Sequence, residues 1–134
     1  MPTRSTAPTL LARRAAAGQF DDEVLAWLQA GFRRFLDGGA IEFALKLDRP
    51  SRVRQRNAAL RQLAEVLGDG RGLWTQAERM EDAISWFAFE RWPALQDAVI
   101  PPEDQLGAAL FAAFASRVRV PAEQRGLYNV LKST

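Results

Sequence analysis

The densest chemistry in this chain is a run of guanidinium groups. Arg49, Arg52, Arg54, Arg56 and Arg61 are interleaved with Gln55, Asn57 and Gln62, and no acid stands between Asp48 and Glu65. Arginine forks grip phosphate oxygens, and Arg, Gln and Asn suit base edges. The stretch therefore reads as a candidate nucleic-acid-binding surface carried by Arg49, Arg52, Arg54, Gln55, Arg56 and Arg61. At about 100° per residue, Arg52 and Arg56 share one helix face while Arg54 and Arg61 share another, so the charges wrap the helix instead of forming one stripe. The sequence IEFALKL, then DRP, then SRVRQRN has the outline of a helix-turn-helix. Its turn lacks the usual glycine, and Arg54 and Asn57 fall where that motif carries apolar residues. The alternative is a solvated face in which these arginines pair with Glu78, Glu81, Asp82 and Glu90, with Asn57 a core amide between Val53 and Leu60.

A second group is aromatic. Trp86, Phe87, Phe89 and Trp92 crowd one expected helix and its end, and Trp74 stands at its other end. If Ile84, Phe87 and Ala88 face inward, Trp86 and Phe89 lie off that stripe. Trp74, Trp86, Phe89 and Trp92 are thus candidates for a protein interface, where tryptophan is enriched at energetic hot spots. The alternative is a central helix covered nearly all round.

The absent residue types restrict the chemistry further. With no Cys and no His, the chain offers no disulfide, no thiolate nucleophile, no imidazole base and no Cys- or His-ligated metal. Glu78 and Asp82 stand four apart, as a carboxylate pair would, but Arg79 and Arg91 are at hand to neutralise them. Gly68 and Gly70 lack the downstream Lys-Ser/Thr of a phosphate loop. The expectation is a non-enzymatic protein with no catalytic residues, no cofactor and no metal. Lys+Arg 18 against Asp+Glu 16 leaves a net charge of only +2, so the high pI, near 9.7, reflects arginine usage and missing histidine more than excess charge. The longest apolar stretch, residues 106–115, is about half of a membrane span. The reading is therefore soluble and cytoplasmic, with no membrane partner.

These side chains must be positioned by helices. Residues 1–19 read as a flexible Thr/Ala/Pro-rich tail and 20–132 as one helical domain. Asp21, Asp22 and Glu23 open a helix whose Leu25, Leu28, Phe32, Phe35 and Leu36 form a stripe expected to face the core, with Gly38 and Gly39 as its stop. A short helix over 40–47 is ended by Pro50. Ser51 is expected to cap a helix to residue 67, and Thr75 one that runs to the break at Pro93. A turn at 95–100, a helix over 103–118 and a last helix opened by Pro121 complete the set. The class is all-α, a single compact bundle of about five to six helices.

Four short segments, FALKL, RQRNAALR, WTQAER and PAEQRGLY, carry a resemblance. Their order over residues 20–131 is similar to that of small helical proteins encoded in proteobacterial phages and prophages. The resemblance implies a mobile-element origin and no particular activity. The functional expectation is action through a protein partner or a homo-oligomer, with a DNA-binding regulatory protein using residues 51–67 as the alternative.

Overall fold

Acidic caps and prolines set most of the element boundaries. The computed structural model describes residues 6–68 and 72–133, which form eight helical segments and no strand. These are α1 (Pro8–Ala16), α2 (Asp22–Leu36), α3 (Ile41–Ala44), α4 (Arg49–Leu67), α5 (Leu73–Glu90), α6 (Trp92–Leu95), α7 (Gln105–Ala115) and α8 (Gln124–Lys132). Since α3 and α6 are single turns of 4 residues, the fold is the expected all-α bundle in class and in its number of full helices.

Asp21, Asp48 and Asp104 accept hydrogen bonds from the amides of Val24 (2.9 Å), Ser51 (3.2 Å) and Gly107 (2.8 Å). Each satisfies an amide that has no partner within its helix. Asp48 thus replaces Ser51 as the cap of α4, and the Ser51 hydroxyl donates to Asp48 Oδ1 at 2.6 Å. Pro50 opens this helix instead of ending the one before it, because a first-turn amide is not needed there. α5 starts at Leu73, after Gly72 at a φ of 95°, so Thr75 lies inside it. Pro93 lies in the first turn of α6, which ends at Leu95 and so precedes the turn expected over 95–100. α7 ends at Ala115: the buried Ser116 hydroxyl donates back to Ala113 O at 2.7 Å, and Arg117 turns left-handed. α8 begins at Gln124, leaving Pro121 in the loop.

The core lies among α4, α5, α7 and α8. α4 packs along α7 and α5 along α8, enclosing Leu60, Leu63, Met80, Phe87, Leu110, Phe111 and Leu127. Gln76 Nε2 donates to Ala64 O at 2.6 Å, tying α5 to the end of α4. Phe87, Trp92, Phe111 and Phe114 form one aromatic cluster, with ring centroids 5.3–6.2 Å apart.

The segment expected to be a flexible tail is, over its described part, a docked helix. Thr9 donates from its amide and hydroxyl to Gln55 Oε1 (3.1 and 3.0 Å), and Leu11 is buried. Arg13 donates to the carbonyls of Gln96 (2.8 Å) and Ala98 (3.0 Å). Its guanidinium also sits 5.6 Å from the Trp92 ring and 5.3 Å from the Phe111 ring, a cation–π seat on the aromatic cluster. Burial, and then the charge of Arg117, pull the Arg13 pKa below its ordinary value. Residues 1–5 of that tail lie outside the described residues.

α2 and α3 stand apart from this body. α2 packs on α1 and α3, and the main core cluster draws no residue from either α2 or α3.

Candidate protein-contact surface

The arginine-rich stretch lies in the first two-thirds of α4, and its polar groups are turned largely onto the protein's own backbone. Arg52 donates from Nε to Leu47 O (2.9 Å) and from Nη1 to Arg117 O (3.1 Å). Arg56 donates to Arg119 O at 2.7 Å and, through Nε and Nη2, to Asn57 Oδ1. Gln55 donates to Lys46 O at 2.8 Å while accepting from Thr9. Arg54 donates to Ser51 Oγ at 3.0 Å. Arg61 is half-buried with its Nε unbonded, and only Arg49 and Arg54 of the six candidates are exposed. Burial, and then the nearby charge of Arg49, lower the Arg56 pKa. The hydrogen bonds described for Arg52, Arg54 and Arg56 run to backbone carbonyls, to a serine hydroxyl and to the Asn57 amide, so the expected pairing with acids of α5 is not what occupies them. The helix-turn-helix outline also dissolves, since α3 is a single turn that packs chiefly on α2.

The four aromatic candidates separate. Trp92 belongs to the core cluster and to the seat of Arg13. Trp74 is exposed on one side but meets Tyr128 edge-on at 5.5 Å, closing α5 against α8. Trp86 is 44% exposed beneath Arg91, 5.8 Å from its ring, and Phe89 is 84% exposed. Of the four candidates Trp92 alone is taken into the core; Trp74 is outward at the start of α5, and Trp86 and Phe89 are outward near its end.

The larger apolar surface is one that the sequence reading placed inside. On α2 the side facing the body carries the buried Val24 and Gly31, together with Trp27, whose Nε1 donates to Leu45 O at 3.0 Å. Gly31 leaves the space that the Leu45 side chain fills: a Cβ there would run into Leu45 Cδ2, which would have to shift. Leu25, Phe32 and Leu36, about 80–120° round the helix from Val24, and Phe35 at the edge of the packed side are all exposed, Phe32 at 51% and Leu36 at 80%, and Ile41 follows in α3. Their expected burial is thus corrected. Val24 and Gly31 bring α2 close to its neighbours with Trp27 packed beside them, and Leu25, Phe32, Phe35 and Leu36 are left outside because nothing in α1 or α3 reaches round to cover them.

Polar groups hold this hairpin in place. Arg14 of α1 bridges Asp21 (3.3 Å) and Glu23 (2.8 Å), and the Thr6 hydroxyl also donates to Glu23 (2.9 Å). The Arg14 bond, and then that of Thr6, hold the Glu23 carboxyl below its ordinary pKa. Arg34 donates to Ala44 O at 3.3 Å, fastening α2 to the end of α3.

Open, shallow clefts lie between the described helices. One of about 510 Å³ runs past Arg13, Arg52, Asp97 and Arg117, and another of about 570 Å³ lies between α1, α4 and α7 and is lined by Leu10, Ala58, Ala109 and Gln62. No group of three or more acids that could hold a metal occurs among the described residues, and no described helix is long and apolar enough to cross a membrane. Comparison of the chain with protein-family models, curated proteins and solved structures finds no match.

Proposed function

We propose that this is a non-enzymatic protein that acts by binding another protein surface through the outer face of α2. The observation that carries the reading is the stripe of Leu25, Phe32, Phe35 and Leu36, exposed on an otherwise well-capped, salt-bridged helix. A contiguous apolar patch of several hundred Å² on a soluble chain marks an interaction site far more often than an ordinary surface. The lack of His and Cys supports the non-enzymatic part of the proposal, since the usual base and nucleophile pairs cannot be assembled. An origin on a mobile element, suggested by the resemblance of four short segments to phage-encoded helical proteins, is part of the same proposal. Duplex binding through α4 is the weaker reading, because Arg52, Gln55 and Arg56 are already committed to the chain's own carbonyls.

A photo-cross-linking amino acid placed at position 36, with the exposed position 78 on α5 as control, tests the proposal in cells producing the protein. Discrete adducts from position 36 and none from 78 are expected. An absence of adducts from position 36 would remove the α2 face as the working surface.

A further inference from the structure

We infer that the occupant of the α2 face is a second copy of this chain, paired antiparallel about a two-fold axis that passes close to Leu28. The inference rests on the reading of α2 as a contact surface and supplies its partner. Three observations converge on it.

The first is the distribution of charge. Asp21 and Glu23 are held by Arg14, and Arg34 is held by Ala44 O, but Asp22 in the first turn and Arg33 in the last are both exposed. They stand eleven positions apart, which on a helix is about 20° of rotation and ~16 Å of rise. Both therefore lie on the same flank of the apolar stripe, at opposite ends. A two-fold axis perpendicular to the helix keeps each flank on its own side and reverses the ends, so Asp22 of each copy would meet Arg33 of the other. A parallel pair, related by an axis along the helices, would carry this flank to the opposite side and leave both Asp22 and Arg33 without a counterpart.

The second is the position of the apolar residues. Phe20 and Leu25 hold the N′ and N4 positions of a hydrophobic staple, which carries the stripe one step ahead of the helix. Along α2 and its staple the exposed apolar residues run from Phe20 to Leu36, centred on residue 28, and Ile41 and Phe43 extend the apolar surface beyond them into α3. The Asp22 and Arg33 pair has its midpoint between 27 and 28. Apolar and charged features are thus self-complementary about nearly the same point, as an interface formed by one patch with its own copy requires.

The third is area. Phe20, Leu25, Phe32, Phe35 and Leu36 are 44–80% exposed, and at ~200 Å² per side chain they present roughly 550 Å² per copy. With the charged flanks this approaches the ~800 Å² per partner of a standard interface. The dipoles of the two helices also run antiparallel in this pairing, so that each positive end lies beside the other's negative end.

Sedimentation equilibrium of the full chain, with Asp22→Arg, Arg33→Asp and the double variant, tests the arrangement, and circular dichroism monitors the fold. The wild type is expected to be a dimer. Each single variant should raise the dimer dissociation constant about ten-fold, and the double variant should return to within about three-fold of wild type. Both substitutions oppose the helix dipole, so purely structural damage would grow worse in the double variant; rescue is the signature of the crossed pairing. Leu36→Glu, on the exposed face, should give a folded monomer. A dimer indifferent to these charges, or one not rescued by the double variant, would overturn the antiparallel pairing. A wild type that stays monomeric up to roughly 200 µM overturns self-association. If that monomer still forms position-36 adducts with other chains, the α2 face remains the contact surface with a different partner; if it forms none, both readings fall.

Discussion

Among single residues, the polar side of α4 acts on strained backbone nearby. Lys46 and Arg117 hold φ values of 60° and 63°, a left-handed conformation that costs a side-chain-bearing residue about 1–2 kcal/mol. The carbonyls of Lys46, Leu47, Arg117 and Arg119 are taken by Gln55, Arg52 and Arg56, so these side chains clamp both turns to the start of α4. Arg52→Ala removes a part-buried bond to Leu47 O and a solvent-open one to Arg117 O and is expected to lower the unfolding free energy by about 1 kcal/mol. Lys46→Gly, on an exposed residue, relieves the strain and should raise it by about 1 kcal/mol. Urea denaturation of the two variants checks both, and an Arg52→Ala protein as stable as wild type would refute the clamp. The side-chain types in this stretch were legible in sequence. Their targets were not, because a guanidinium suited to phosphate is equally suited to a carbonyl 65 positions away.

Helices bring out a different limit of sequence reading. The Asp21 cap, the Gly38–Gly39 stop of α2 and the inward stripe of α5 were legible, since each depends on residues within a few positions of one another, whereas the caps Asp48 and Asp104 were not. α1 was missed even though Pro8 in its first turn and Arg13 and Arg14 in its last are ordinary helix signals; its Thr, Ala and Pro content reads as tail only while Gln55 and Trp92 are out of view. α2 was placed correctly along the chain but the wrong way round. Hydrophobic periodicity identifies an amphipathic helix without saying what covers it, and Gly31 in mid-helix was the one local sign of the face that packs closely. Gly31→Leu is accordingly expected to push Leu45 and α3 off α2, accelerating amide exchange over residues 41–47 while α4 and α7 stay protected. Unchanged exchange there would show that α3 is held by other means.

Across the whole molecule, the acid response follows from the caps. Asp48 is held below its ordinary pKa by the Ser51 hydroxyl, and Asp104 by the Gly107 amide and then Arg91; Glu23 is lowered by Arg14. A carboxyl depressed in the folded state contributes stability that is present above its unfolded pKa and lost as pH falls through the folded value. With no histidine in the chain, the thermal midpoint should stay level between about pH 5.5 and 8.5 and decline below about pH 4. Asp48→Asn, which keeps a capping oxygen but cannot be protonated, should flatten part of that decline. A midpoint that moves appreciably between pH 6 and 8 would contradict this account. The separation of α2 and α3 from the main core has a further consequence for how such a protein changes over time. Because the exposed half of the hairpin supports none of the central packing, substitutions at Leu25, Phe32 or Leu36 can alter what the protein binds while leaving its folding intact. On the proposed reading, the outer face of α2 is an interchangeable head on a handle that packs without it, open to change at no cost to the body of the molecule.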